Sequence, residues 1–338
     1  MHCAFCITKE AFVLDQQYRR ARRVGVTAIA CALVFRLWAA GVPEKLLSRL
    51  IQPNTAAFLI YLETGRDVRF SPSLAVFSPQ FVESPAPSLP EPTEPPIPAY
   101  SDAEGIELYY ACNVSPDLED LLTRPLEWNL YTEEPTVLIL HTHSTESYTK
   151  NGESYQETSS WRTLDEDYNM LSIGSRVGQL LADAGITAVQ DRALHDYPSY
   201  NGSYVDARAS IKAYLEEYPA IRLVLDLHRD ASGDESGQMR TKAQVGGQTS
   251  AQLMLVLGTN HENYEENLSL ALKLHAQLEL QAPGIMRPLQ LRSQRFNQDL
   301  SPGALLVEVG AAGNTHAEAM TAAEELAKAV IALARGTE

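Results

Sequence analysis

TVLILHTHSTESY (residues 136–148) starts as a strand and ends as a cluster of reactive side chains. The run TVLILH is apolar and β-rich up to its last residue, as expected of a strand in a sheet covered on both faces. His141, His143 and Glu146 then fall within six residues. A polar loop would explain them, and so would a metal site; the rest of the chain has to decide.

Downstream, apolar runs alternate with segments of helical period. NMLSIGSRVGQLLADAG (169–185) spaces Met170, Ile173, Val177, Leu180 and Leu181 along one helix face and ends on glycine. ITAVQD (186–191) reads as a strand, SYVDARASIKAYLEEYP (203–219) as a Ser203-capped helix stopped by proline, and IRLVLDLH (221–228) as a strand. QLMLVLGTN (252–260), the helix YEENLSLALKLHAQLEL (264–280), the strand ALLVEVG (304–310) and a closing helix over 315–336 follow. The alternation predicts an α/β fold, a mostly parallel central sheet with helices on both faces. QVGG (244–247) reads as a turn, too short a glycine signal for a phosphate loop. There are no internal repeats.

The 338-residue chain is long enough for one or two domains with substantial cores, and its net charge of −16 excludes a nucleic-acid partner. The charge is unevenly spread. Residues 1–50 are basic, the remainder strongly acidic, an asymmetry that marks a membrane-facing end. Arg19, Arg20, Arg22 and Arg23 precede an apolar stretch over 24–42, interrupted by Arg36. Counted through Arg36, whose long side chain can snorkel, the stretch approaches the ~20 residues of a membrane span. The expected organisation is a short basic cytoplasmic segment (1–23), a transmembrane anchor (24–42) and an amphipathic juxtamembrane segment (43–82). A Pro-rich linker (83–99) and a catalytic domain outside the membrane (100–338) follow. Seven prolines in ESPAPSLPEPTEPPIPA (83–99) predict an extended spacer. Cys3 and Cys6 form a C-x-x-C with no second pair to complete a zinc knuckle, and Cys112 is the lone cysteine of the large C-terminal part.

Three predicted strands end in or contain ionisable groups: HTHSTE, DLHRD (226–230) and Glu308 in LLVEVG. In open α/β sheets, sites form at the C-terminal ends of strands. His143 and Glu146, with His228 as third ligand, match a hydrolytic zinc centre that keeps a position open for water. His141 is the alternate first ligand. Glu308, in an otherwise apolar strand, is the expected general base, its pKa raised by burial. Arg229 suits two roles equally, an oxyanion partner or a mate for Asp230. The loop HDYPSYNGSY (195–204), with His195, Tyr197 and Tyr200, suits sugar or peptide binding. RFNQDLSPGA (295–304), with Asn297 and Asp299, is expected to line the cleft.

LHTHSTESY, HDYPSYNGSY, VLDLHRDAS and RFNQDLSPGALLVEVGAAGNT, in that order behind an anchor and a Pro-rich linker, resemble the stage II sporulation protein P family. The resemblance covers residues 130–335 densely. It implies an N-acetylmuramoyl-L-alanine amidase-like fold and a zinc-dependent peptidoglycan hydrolase. The family cuts the amide between muramic acid and the stem peptide, and is also credited with endopeptidase activity on cross-links. It also implies septal wall remodelling during engulfment, from the mother-cell membrane, with the stage II sporulation proteins D and M as partners. The alternatives are a zinc carboxypeptidase or other amidohydrolase, and a non-catalytic wall-binding scaffold.

Overall fold

The computed structural model describes residues 75–77, 105–126, 128–149, 161–234 and 237–336. The expected anchor (24–42), the linker (83–99), Cys3 and Cys6 lie outside the described residues, as does nearly all of the juxtamembrane segment. Among the described residues no helix is long and apolar enough to cross a membrane.

The chain forms strands β1 (Ala75–Phe77), β2 (Leu108–Ala111), β3 (Val137–Leu140), β4 (Ala188–Gln190), β5 (Leu223–Asp230), β6 (Gly233–Asp234) and β7 (Gly237–Gln238). It continues with β8 (Ala243–Val245), β9 (Gln248–Ser250), β10 (Leu253–Gly258), β11 (Leu289–Arg292) and β12 (Ala304–Ala311). The helices are α1 (Leu118–Thr123), α2 (Met170–Asp183), α3 (Ser203–Glu217), α4 (Tyr264–Gln281) and α5 (His316–Arg335).

One eight-stranded sheet runs in the order β1-β4-β3-β5-β12-β10-β11-β2. β3 is parallel to β4 and β5, β5 to β12, β10 to β11, and β11 to β2. β1–β4 and β10–β12 are antiparallel. The sheet is therefore mostly parallel, as the alternation of strand and helix requires, and it reverses direction between β12 and β10. β1 lies within the segment expected to be juxtamembrane, so part of that segment completes an edge of the sheet. β2 and β11 escape sequence reading because they are short edge-side strands, β2 largely exposed and β11 buried on one face only. The pairs β6–β7 and β8–β9 form two small hairpins after β5, the second turning at the expected QVGG.

Strand alternation separates two faces. Leu223, Leu225 and Leu227 of β5 and Leu305, Val307 and Val309 of β12 enter the larger core with apolar residues of α2, α4 and α5. Each fully buried leucine there is worth about 1.5–3 kcal/mol relative to exposure. Leu138, Leu140, Val189 and Val224 face the other way, under Ala207, Ile211 and Tyr214 of α3. Helices cover both faces, but unequally. Asp226, His228 and Glu308 alternate onto the α3 side, where the core clusters are smaller.

Helix starts follow local chemistry. Asn169 caps α2 by accepting from the Leu171 amide, and Thr315 with Glu318 forms a full capping box on α5. The helix α3 departs from expectation: Ser203 is its first residue, and the cap is Gly202, with φ of 98° and no side-chain bond. The Asn201-Gly202 turn sets that entry, since glycine takes the left-handed backbone without strain.

Candidate active site

The β3 strand ends at Leu140 and the chain turns at once, so His141 and His143 leave it in different directions. His141 drops under α2. Its Nε2 is 3.0 Å from the Gln190 amide nitrogen and its Nδ1 is 3.2 Å from the Leu227 carbonyl. Both ring nitrogens are occupied, and burial lowers its pKa to about 4. His141 is thus a neutral core histidine; the alternate-ligand expectation for it is corrected. The α2 backbone approaches so closely that a Cβ on Gly174 would lie 2.5 Å from His141 Nε2.

His143 turns to the opposite side and meets His228 edge to face, ring centroids 5.2 Å apart. His228 sits on β5 in register with Glu308 of β12, because β5 and β12 run parallel. His228 Nδ1 lies 3.8 Å from Glu146 Oε2, and its Nε2 lies 2.9 Å from Asp226 Oδ1. Parallel pairing and one tight turn therefore bring His143, Glu146, His228 and Glu308 together.

The loop carrying these groups is held from outside by buried charges. At its start, Thr142 donates its amide (2.8 Å) and hydroxyl (2.6 Å) to the Asp226 carboxylate. At its middle, the Thr145 hydroxyl donates to Asp196 (2.7 Å), which also pairs with Arg162. At its end, Arg229 Nε donates to the Ser147 carbonyl (3.0 Å) and its Nη2 to the Trp161 carbonyl (3.1 Å). Glu146 Oε1 faces Arg162 (3.4 Å) and Arg229 (3.6 Å), which leaves Oε2 toward His228. Arg229 thus braces Glu146 and its loop. The ion pairs run Arg229–Glu146 and Arg287–Asp230, so the alternative mate for Arg229 is corrected.

Electrostatics sort the groups. Burial, the neighbouring His228 and Arg162 lower His143 to about 3. For His228 burial works the same way, but the carboxylates of Asp226, Glu146 and Glu308 outweigh it and raise the value to about 9. Burial lifts Glu308 to about 8, with Glu146 and Asp230 adding to the rise and His228 and Arg229 opposing it. Asp226 stays below its usual value despite burial, because His228 and Thr142 stabilise its charge.

Three buried polar atoms of the site lack an aligned hydrogen-bond partner among the described residues: His143 Nδ1, His228 Nε2 and Glu308 Oε2. Buried polar atoms are seldom left so. Among the described residues no three His, Cys, Asp or Glu side chains close into a complete metal cage. The donor types, two imidazoles and a carboxylate, are ones that zinc takes. Two donors on one zinc at ~2.0–2.2 Å lie roughly 3.4 Å apart at the tetrahedral angle, and the 3.8 Å between His228 Nδ1 and Glu146 Oε2 is a gap that an ion can bridge.

The expected substrate residues divide. Tyr200 stacks on His143 at 4.5 Å, beneath the Arg162 guanidinium, and is 55% exposed, so it lies at the mouth of the site. Tyr197 is exposed in the same loop. His195 is corrected: it is buried, with Nε2 2.9 Å from Asp191 Oδ2, and so braces the loop from inside. Asn297 and Asp299 are both engaged within the chain. Asp299 takes the Arg208 fork (2.7 and 2.6 Å), and Asn297 Nδ2 donates to the Tyr204 carbonyl (2.8 Å). These bonds tie the 295–301 loop to α3 and seat Tyr204, whose ring lies 5.6 Å from His143 and 6.3 Å from His228. Tyr204 and Asp226 are site residues that sequence reading passed over. The i, i+2 alternation of Asp226 with His228 on one strand face is the signal that could have found the second.

Residues 93–331 match the family described as Stage II sporulation protein P (SpoIIP). Over 206 residues the chain is 29% identical to the Stage II sporulation protein P of Bacillus subtilis (strain 168), covering 58% of this chain and 50% of that protein. The chain thus spans half the length of that relative. Among solved structures, an N-acetylmuramyl-L-alanine amidase of Mycobacterium smegmatis matches with a TM-score of 0.37 at 18% identity, covering 62% of this chain and 98% of that one. An N-acetylmuramoyl-L-alanine amidase of Clostridium difficile 630 matches with a TM-score of 0.33 at 14% identity, covering 59% and 94%. At these scores the likeness to either amidase decides nothing about the site.

Proposed function

Because the chain belongs to the stage II sporulation protein P family, we propose that it is a peptidoglycan hydrolase of sporulation that cleaves the N-acetylmuramoyl-L-alanine amide, with zinc as cofactor. The observation that carries this reading is the register pair His228–Glu308, with Glu146 behind it and Glu308 Oε2 without a partner among the described residues. Leaving a buried carboxyl oxygen unpartnered costs roughly 1–3 kcal/mol, a cost that a wall-binding scaffold gives no reason to carry.

His143, Glu146 and His228 would hold the metal, and zinc there supplies Lewis acidity and brings the pKa of water near neutrality. Glu308 is the general base. Its pKa of about 8 falls when a cation binds beside it, since opposite charge favours the carboxylate. Glu308 takes a proton from the attacking water as the new C–O bond forms. It then delivers that proton to the departing nitrogen as the amide C–N bond breaks, releasing a lactyl carboxylate and a stem peptide with a free L-alanine amine. Arg229 and Arg162 hold Glu146 so that Oε2 stays directed at His228. Tyr200 and Tyr204 flank the histidine pair and offer faces for a sugar or peptide to pack against.

The same reading anchors residues 24–42 in the mother-cell membrane with the domain outside, and takes the stage II sporulation proteins D and M as partners. Digestion of purified peptidoglycan by the full chain, with products identified by mass spectrometry, tests the activity. Intact stem peptides beginning with L-alanine support the amidase. Release of single C-terminal amino acids indicates a carboxypeptidase, and absence of any product with zinc supplied contradicts the hydrolase.

A further inference from the structure

We infer that Asp226 is a positioning residue that sets both histidine-bearing elements of the site, an inference that rests on the zinc reading above. Asp226 is 5% exposed, on a strand face shared with Val224. Burying a carboxylate there costs several kcal/mol unless it is fully engaged. Its engagements all lead into the site. The Thr142 amide and hydroxyl fix the first residue of the turn, and His143 is the next residue along. On its own strand, Asp226 meets His228 two residues on, at Nε2. The contact is not aligned as a hydrogen bond, but the carboxylate charge 2.9 Å from Nε2 favours the proton on that nitrogen and leaves Nδ1 facing Glu146 Oε2. A carboxylate beside one nitrogen of a ligating histidine orients the ring and raises the basicity of the other. Asp226 performs this for His228 while its hydrogen bonds to Thr142 hold the turn that carries His143. Without the carboxylate charge, either ring nitrogen of His228 could carry the proton.

A purely structural brace between β3 and β5 would leave the same two hydrogen bonds to Thr142, so the test separates the two roles. Full-length wild type, Asp226→Asn and Thr142→Val are titrated with zinc against a chromophoric chelator, with thermal melts alongside. Asp226→Asn keeps the shape and removes the charge; Thr142→Val removes a turn hydrogen bond and keeps the charge. The expected result is zinc affinity about 10–100-fold weaker in Asp226→Asn, with a smaller loss in Thr142→Val, which keeps the amide bond to Asp226 and its charge. In the zinc-loaded wild type carrying ¹⁵N-histidine, NMR is expected to show His228 protonated at Nε2 and metal-bound at Nδ1. Equal affinity of Asp226→Asn and wild type overturns the inference and leaves the zinc reading standing. Equal weakening in both variants assigns Asp226 to the turn alone and also overturns it. If Asp226→Asn does not fold, the wild-type NMR decides, and zinc on Nε2 overturns it. No zinc bound by wild type removes the zinc reading and this role together.

Discussion

Replacing Gly174 by alanine sets two effects of opposite sign against each other. Gly174 lies inside α2, where alanine is worth about 1 kcal/mol over glycine by helix propensity alone. An exposed site would therefore be stabilised. Here the new Cβ would lie 2.5 Å from both His141 Nε2 and Gln190 Nε2 and 2.7 Å from His141 Cε1. Neither neighbour is a free end. Gln190 Nε2 also donates to the Leu171 carbonyl at 2.9 Å, and His141 is held at Leu227. Accommodating the methyl requires movement of about 1 Å in a filled core, which costs typically 1–3 kcal/mol. It also disrupts the Gln190–His141 bond, worth about 1 kcal/mol. Set against the propensity gain, the expected net loss is roughly 1–3 kcal/mol, read by denaturant unfolding. Removing the clashing ring in the double variant Gly174→Ala/His141→Ala is expected to give a cost smaller than the sum of the single costs by at least about 1 kcal/mol. A Gly174→Ala chain as stable as wild type, or more so, would refute the packing described around His141.

Other predictions follow from the same geometry. His141→Gln is expected to bind as much zinc as wild type, measured by elemental analysis, whereas His143→Ala loses it; equal loss in both would return His141 to the ligand set. Burial lowers His275 in α4 to about 4. A depressed histidine contributes stability that is present above 6.5 and lost as pH falls toward 4, roughly 3 kcal/mol across that window. His275→Leu should therefore lose less stability than wild type between pH 7 and 4.5, and parallel losses would contradict the assignment. Asn297 has φ of 58°. Both Asn297→Ala and Asn297→Gly lose the bonds to Tyr204 and Arg208, but alanine also bears the left-handed backbone, so it should be less stable than the glycine variant by about 1 kcal/mol.

Much of this architecture was legible in the sequence because it is local. The strands β3, β5, β10 and β12 are apolar runs, and α2, α4 and α5 carry helical spacing, with side-chain caps at Asn169 and Thr315. The convergence of HTHSTE, DLHRD and Glu308 was legible too, since neighbouring parallel strands carry their C-terminal ends to one side of a sheet. What failed to show depends on distant pairing. Arg208 and Asp299 are 91 residues apart, so nothing local announced that Asp299 was already paired. The separation of His141 from His143 came from a turn directly after Leu140, where strand alternation no longer applies. His195 could have been recognised: Asp191 precedes it by four residues in DRALH, an acid–histidine pair placed to close a loop.

In the proposed mechanism Glu308 moves the proton at a site built on His228. The most direct measurement is the rate of stem-peptide release from peptidoglycan by full-length wild type and Glu308→Gln at matched zinc content. Glutamine keeps the shape of the side chain but cannot serve as the base. Unchanged zinc and a release rate lower by about 10²–10⁴-fold are expected. Release at the wild-type rate by the zinc-loaded Glu308→Gln chain would contradict that role.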